Sequence, residues 1–351
     1  MSKSLVVEVR TRGGDFEFTE RPIPEPGEAE VRIRVEACGI CRGDDVCRLG
    51  FWPGISYPRV PGHEVIGVID ALGSGVAGFA LGERVGAGWN AGYCEECHQC
   101  RRGDFAGCKN SSINGIFNDG GYAQYMTVAE HALVRIPADC DWSSAELAPL
   151  LCAGVSTFSP LRNSGVRAGE LVAIQGIGGL GHLAVQFAHR MGYRVAAISS
   201  GADKKDLAHQ LGAHIYIDGS QIDPAEALRN LGGAALILAT APNAEAIGAL
   251  VEGLKMNGKM IIVAAPHDKV QINSLHLLGY RATVMGWPGG SPADSEDTVA
   301  FALMTNCRPL VEVFPLAEAN RAYEQMKTNK VRFRAVLDCR EQIDDSEAGE
   351  P

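Results

Sequence analysis

Along residues 1 to about 150, apolar and polar positions alternate over short runs such as VRIRVEA (31–37), EVIGVIDALG (64–73) and AQYMTVAE (123–130), with Gly and Pro between them. Period-two alternation broken by turn residues predicts short strands buried on one face, and so an irregular, mostly β domain. From about 152 the pattern becomes apolar runs separated by helical stretches: LVAIQG, an Ala-rich segment, YRVAAISS, KKDLAHQLGA, HIYID, AALILAT and KMIIVAA. Alternating strand and helix predicts an α/β region, a parallel sheet with helices on both faces. After about 286 the sequence GWPGGSPAD interrupts this texture. A helical stretch near 295–306 and a last strand, RAVLDC, follow and are expected to return to the first domain. The predicted boundaries are therefore 1–151, 152–286 and 287–340, and the acidic tail 341–351, EQIDDSEAGEP, reads as disordered.

Composition narrows the function classes. A formal charge of −10 without a clustered basic face argues against nucleic acid as a partner. No apolar run approaches the roughly 18 residues of a membrane-spanning helix. The start, MSKSLVVEVRTRGG, has no basic-then-apolar signal pattern, so the chain is expected in the cytosol. Eleven cysteines in such a chain point to metal and reduced thiols rather than disulfides. Cys38, Cys47, Cys140, Cys307 and Cys339 read as reduced, partly buried thiols.

Four others form the most specific local pattern. Cys94, Cys97, Cys100 and Cys108, in CEECHQCRRGDFAGC, are separated by two, two and seven residues. Soft thiolates at this spacing on one loop predict a closed, tetrahedral structural zinc site.

A second pattern, GIGGLG at 176–181, follows the apolar strand LVAIQ and opens the helical segment HLAVQFAHRMG. Gly176 suits the tight turn, Gly178 the approach of backbone to phosphate, and Gly181 the packing of helix on strand. Gly179 and Leu180 complete a loop whose helix N-terminus faces a pyrophosphate. Where an NAD site places a carboxylate on the ribose, the second strand ends in Ser199 and Ser200, with Lys204 beyond. Hydroxyls and an ammonium in place of the acid favour NADP over NAD. The alternative is a solvated helix start at Lys204 and Lys205 with Asp203 as its N-cap.

ACGICRGDD (37–45), PGHEVIG (61–67) and LLCAGVSTF (150–158), in order with the thiolate loop and GIGGLG, resemble the zinc-dependent medium-chain alcohol dehydrogenases. The likeness runs from about residue 5 to 340 and is nearest the branch of cinnamyl alcohol dehydrogenases and microbial aldehyde reductases. It implies a GroES-like catalytic domain, a Rossmann-type doubly wound domain and two zinc ions per chain, one catalytic and one structural. Cys41, His63 and Cys152 match the catalytic ligands, Glu64 a carboxylate beside the metal, and Asp44 an acid supporting the ligand shell. Arg42 and Arg334 match residues at the cofactor pyrophosphate, and Trp52 and Trp89 match positions lining the substrate cleft. Trp287 and Pro288 fall near where relatives complete the pocket. The resemblance also implies a homodimer or homotetramer. KMIIVAA could pair across a two-fold axis, although a buried parallel strand has the same sequence signature.

One position departs from the family. Where Ser or Thr normally starts a proton relay the chain has Gly43, and where a relay histidine is common it has Val46. General acid–base steps contribute about 10²–10⁴ in rate, so the loss bears on mechanism. The favoured reading is hydride transfer between NAD(P)H and an aldehyde or ketone, with water or a substrate hydroxyl carrying the proton. The alternatives are reduction of a polarised C=C or C=N bond, and a non-catalytic nucleotide-binding protein on the same scaffold.

Overall fold

The computed structural model describes residues 2–340; Met1 and residues 341–351, where the acidic tail was expected to be disordered, lie outside the described residues. The chain divides into two compact units. Among the described residues, one comprises the chain up to Leu151 together with 310–340, and the other Cys152–Pro309.

The first unit is built on a seven-stranded mixed sheet. Its order is Val311–Pro315, Arg334–Asp338, Glu30–Gly39, Val65–Leu72, Arg84–Ala87 and Leu133–Arg135, with Tyr125–Ala129 also pairing Glu30–Gly39. The expected alternation is visible in Glu30–Gly39, where Val31, Ile33 and Val35 are buried and Arg34 is exposed. Those three residues join Val65, Ile69, Val85, Met126, Leu133 and Leu337 in one apolar cluster. Burying each such side chain contributes about 1.5–3 kcal/mol.

This sheet also sets the site. Cys38 pairs with Val65, so the chain leaving one strand at Gly39 runs beside the chain entering the next at Glu64; Gly39 N–H donates to Glu64 C=O at 2.9 Å. Past Gly39 the chain makes a short helix, α1 (Asp44–Leu49), with Asp44 and Asp45 in its first turn, where negative charge suits the helix dipole. It ends at Gly50, whose φ of 64° puts it in the left-handed region.

The second unit is a six-stranded parallel sheet in the order Ile215–Asp218, Arg194–Ser199, Leu171–Gln175, Ala234–Ala239, Leu254–Ile262, Thr283–Gly286. In chain order this is 3-2-1-4-5-6, the Rossmann-type doubly wound arrangement. Its central strands, Leu171–Gln175 and Ala234–Ala239, are buried at every position, as continuous apolar runs require.

Two expectations are corrected. The return to the first unit falls at Leu310 rather than 287, because the helix Pro292–Thr305 packs on Ala153–Asn163 within the second unit. Phe301 meets Phe158 at 5.1 Å between ring centroids, and Arg162 pairs with Asp297. KMIIVAA does not lie at a sheet edge: Lys259–Ile262 is hydrogen-bonded to Ala234–Ala239 on one side and Thr283–Gly286 on the other. The edge strand on that side is Thr283–Gly286.

Candidate metal and nucleotide sites

The loop carrying Cys94, Cys97, Cys100 and Cys108 brings all four sulfurs within 4.8 Å of one another. Cys97 and Cys100 Sγ are 3.6 Å apart, and Cys94 and Cys108 Sγ 3.5 Å. A tetrahedral ion with bonds of about 2.3 Å needs sulfur–sulfur edges of about 3.8 Å, whereas a disulfide is far shorter, so the donor set fits zinc. The loop supports charge on the sulfurs from its own backbone. N–H groups of Cys100 and Lys109 lower the Cys97 pKa to about 6, while burial and the neighbouring sulfurs push Cys100 up to about 12. Cys108 is lowered as well: burial opposes the charge, but the backbone N–H groups of Cys94 and Asn110 outweigh it, so the loop favours thiolate at more than one of the four positions.

The second cluster is Cys41, His63, Glu64 and Cys152, whose ligand atoms also lie within 4.8 Å of one another. Cys41 sits just before α1, and His63 and Glu64 lead into Val65–Leu72. Cys152 follows directly on a fully buried 3₁₀ turn, Ala148–Leu151, that packs on the strands of the first unit and so fixes where the sulfur emerges. His63 is 1% exposed. Its Nδ1 lies 3.2 Å from Asp44 Oδ1, an electrostatic contact without hydrogen-bond alignment, so both buried ring nitrogens lack a hydrogen-bond partner in the protein and Nε2 is the one left for the cluster. Two sulfurs and a buried imidazole nitrogen without a partner fit a three-ligand metal site with an open position. Burial opposes a charged His63 ring, but the Asp44 carboxylate and the Cys41 sulfur raise its pKa overall. Glu64 is committed elsewhere: Arg334 Nη2 donates to its two oxygens at 2.5 and 2.7 Å and to Ile40 C=O at 2.9 Å. Burial moves the Glu64 carboxyl up to about 7, against the pull of that guanidinium.

Arg334, expected at a pyrophosphate, is thus 4% exposed and its Nη2 holds Glu64. Arg42 is exposed, and its guanidinium donates to Lys327 C=O at 3.1 Å, at the end of the helix Ala319–Lys327. Gly43 proves to be a packing position. A Cβ there would come 2.8 Å from His63 Cε1 and 3.1 Å from both His63 Nε2 and Trp89 Cζ3. Trp89 stands edge-on to His63 at 4.8 Å and to Trp52 at 5.9 Å, and Trp52 stacks on Phe117 at 6.5 Å. Val46, at the missing relay histidine, packs with Phe117 and Trp89 around Cys47, Ile113 and Ile116. Phe117 went unnoticed in the sequence because nothing local marks it. Neither did anything mark Asn114, whose backbone N–H and side-chain amide bind the carbonyls of Trp89, Gly88 and Asn90.

In the second unit the three glycines of the loop have different surroundings. Gly176 has φ +91°, and a Cβ on it would come 2.6 Å from that of Ala241; a Cβ on Gly181 would overlap Gly176 C=O; Gly178 faces open space. Turn, close packing and room for an anion are therefore separate properties of three glycines at the start of the helix Gly181–Arg190. Thr240, not anticipated, closes the loop by donating to Gln175 and Gly176 carbonyls at 2.9 and 3.0 Å. Ser199 ends its strand beside Asp218, and Ser200 is exposed. The N-cap of the helix Lys205–Gln210 is Lys204 rather than Asp203, and no side chain caps it. Trp287 stays within the second unit, its Nε1 donating to Gly289 C=O at 2.8 Å.

A doubly wound unit with a glycine-rich turn, a mixed β unit with a group of four cysteines, and a second cluster of metal-type side chains are the features of a zinc-binding dehydrogenase. Comparison with known proteins agrees. Residues 27–138 match the alcohol dehydrogenase GroES-like domain and residues 179–304 the zinc-binding dehydrogenase domain. The chain is 46% identical over 325 residues to "Alcohol dehydrogenase notN" of Aspergillus sp. (strain MF297-2), covering 93% of this chain and 95% of the relative. A cinnamyl alcohol dehydrogenase structure from Sorghum bicolor superposes with a TM-score of 0.87 at 30% identity, over 96% of this chain and 98% of that one. The structure of CAD from Helicobacter pylori complexed with NADP(H) gives 0.85 at 26% identity, over 96% and 98%. The chain belongs to the zinc-dependent medium-chain alcohol dehydrogenase family.

Proposed function

We propose that this alcohol dehydrogenase binds two zinc ions, uses NADP(H) in preference to NAD(H), and interconverts an aldehyde or ketone with its alcohol. The observation that carries the reading is the buried, unpartnered His63 Nε2 gathered with the Cys41 and Cys152 sulfurs. Zinc there supplies Lewis acidity that polarises a carbonyl, and NADPH supplies the hydride. The protein's own residues do the rest. Asp44 holds the His63 ring in one orientation, Arg334 keeps the Glu64 carboxylate compensated beside the sulfurs, and the Trp52, Trp89 and Phe117 rings offer an apolar wall. Reduction consumes one NADPH and one proton. With Gly43 lacking a hydroxyl, that proton comes from water or from a hydroxyl of the substrate. Ser199, Ser200 and Lys204 support a 2′-phosphate, because hydroxyls and an ammonium donate to it where a carboxylate would repel it.

The same glycine supports a second reading, reduction of a polarised C=C or C=N bond, in which the proton goes to carbon or nitrogen and no relay to a carbonyl oxygen is needed. A non-catalytic nucleotide-binding role is the third. Zinc analysis and NADPH consumption against aromatic aldehydes, aliphatic aldehydes, enals and iminium compounds separate them. Two ions per chain with aldehyde turnover are expected; enal or iminium turnover alone favours the second reading, and one ion without turnover the third. Lys204→Ala tests the cofactor. It removes a charge-assisted contact of about 1.5–3 kcal/mol, so KM for NADPH should rise about 10- to 100-fold while KM for NADH stays.

A cytosolic location suits eleven thiols free of disulfides, and no helix among the described residues is long and apolar enough to cross a membrane. Homo-oligomerisation is supported by the edge strand Thr283–Gly286, where Met285 is 37% exposed, and by the helix Ser274–Tyr280 that precedes it in the chain, where Leu275 and Leu278 are each 75% exposed. Light scattering on wild type and Leu278→Glu reads this directly: an unchanged mass in both is the adverse result.

A further inference from the structure

The contacts around α1 reach one layer beyond the metal cluster. Tyr122, in the segment leading into Tyr125–Ala129, is completely buried, and its hydroxyl donates to Asp44 Oδ2 at 2.9 Å. The same oxygen accepts the Cys41 N–H at 2.9 Å, while Asp44 Oδ1 lies 3.2 Å from His63 Nδ1. One carboxylate, 1% exposed, therefore touches both the backbone of the Cys41 sulfur ligand and the ring of the imidazole. The Tyr122 ring reaches the same place from another side. It lies against Gly62, the residue before His63, where a Cβ would come 2.6 Å from Tyr122 Cδ1 and where φ is +105°.

We propose that Tyr122 is a positioning residue of the open metal site, whose hydroxyl fixes the rotation of the Asp44 carboxylate and thereby aims His63 Nε2 at the space shared with the Cys41 and Cys152 sulfurs. The terminal torsion of a carboxylate is soft, so its orientation is set by whatever donates to it. Two donors on Oδ2, the Tyr122 hydroxyl and the Cys41 N–H, leave Oδ1 facing His63 Nδ1 at 3.2 Å, where the negative charge favours a proton on Nδ1 over one on Nε2. Without the hydroxyl, a buried anion loses a donor that water cannot replace, and the carboxylate turns to recover it.

The fold contains its own control. Tyr323 on the helix Ala319–Lys327 makes the matching contact one residue along, its hydroxyl donating to Asp45 Oδ1. Both tyrosines are buried, both hold the first turn of α1, but only Tyr122 acts on the acid that faces His63. Tyr122→Phe and Tyr323→Phe thus remove the same chemistry from the same turn.

The inference rests on Cys41, His63 and Cys152 being a zinc site, and the test keeps the two apart. Purified holoenzyme of each variant is dialysed against a graded zinc chelator and its zinc counted, then exchanged with Co²⁺ and its visible spectrum recorded. Tyr122→Phe should weaken metal binding at the open site about 10- to 100-fold and shift the cobalt bands, leaving the cage's zinc in place. Tyr323→Phe should stay within about twofold of wild type, since Asp45 has no contact with a ligand. Unchanged affinity and spectrum in Tyr122→Phe overturn the proposal, as does an equal loss in Tyr323→Phe, which would mean that anchoring α1 is what matters. A wild-type chain holding a single zinc overturns the metal reading and this inference with it. If Tyr122→Phe does not fold, 3-fluorotyrosine at 122 keeps the ring and alters the hydroxyl's donor strength; an unshifted cobalt spectrum then overturns the proposal.

Discussion

The cage draws its sulfurs from one loop, Cys94 to Cys108, and supports them with backbone N–H groups of that loop. The open cluster draws Cys41, His63, Glu64 and Cys152 from three separate segments and is supported by side chains from further ones: Asp44, Tyr122 and Arg334. Four equal ligands on a short loop saturate an ion and tie the loop down. Three ligands delivered by different elements leave a position for substrate, but their geometry is only as good as the packing that delivers them. On the proposed assignment, a metal in the cage would serve conformation and one in the open cluster would serve chemistry.

The strongest way to break this contrast is to remove one sulfur from each. Cys100→Ser should cost structure first: loss of a structural metal removes folding energy outright, and a few kcal/mol in a unit of this size lowers the melting temperature by about 10 °C. Cys152→Ser should leave the melting temperature within a few degrees, reduce zinc from two ions to one, and lower kcat/KM by about 10³-fold or more. Calorimetry, zinc analysis and steady-state rates on both variants decide it. If Cys100→Ser is stable but inactive, the assignment of roles is reversed.

How much of this was legible in the sequence follows the same division. The cage was readable because its geometry is local, and GIGGLG because strand, turn and helix are contiguous. Cys41, His63 and Cys152 taken singly carry no such local signal; only their order alongside the other motifs gives them meaning. The partners that orient them were invisible, since Tyr122 meets Asp44 across 78 residues and Arg334 meets Glu64 across 270. The boundary at 287 was misplaced for a related reason. GWPGGSPAD punctuates like a domain junction, whereas the helix after it finds its partner at Ala153–Asn163, far back in the chain. Gly43 was noticed as a missing hydroxyl, but its packing against His63 and Trp89 could be seen only in three dimensions.

That glycine gives an intermediate test, because two effects oppose each other. A serine hydroxyl at 43 could restore a relay worth about 10²–10⁴ in rate. Its Cβ, however, would stand 2.8 Å from the ring of a metal ligand held in place by Asp44, so the ring must move. Displacement of a ligand is expected to win: Gly43→Ser should lower both aldehyde reduction and alcohol oxidation, by about tenfold, and weaken zinc retention at the open site while sparing the cage. A rise in alcohol oxidation with zinc unchanged would show that the ring yields and that the relay was the limiting loss.

The smallest expected effect separates the aromatic neighbours of the two sites. Trp52 is 40% exposed and stands one ring removed from His63, with Trp89 between them. If it forms part of a substrate wall, Trp52→Ala removes an aromatic contact of about 0.5–1.5 kcal/mol, a two- to roughly tenfold fall in kcat/KM for aromatic aldehydes carried by KM. Short aliphatic aldehydes should be nearly unaffected, and zinc content unchanged. Phe105, packed on Tyr93 at 5.2 Å beside the cage and similarly exposed, is the matched control: Phe105→Ala should move the melting temperature and leave kcat/KM alone. Equal losses for aromatic and aliphatic substrates in Trp52→Ala would mean that this ring props up Trp89 and its loop. The open site would then depend on packing for its substrate wall as it does for its ligands.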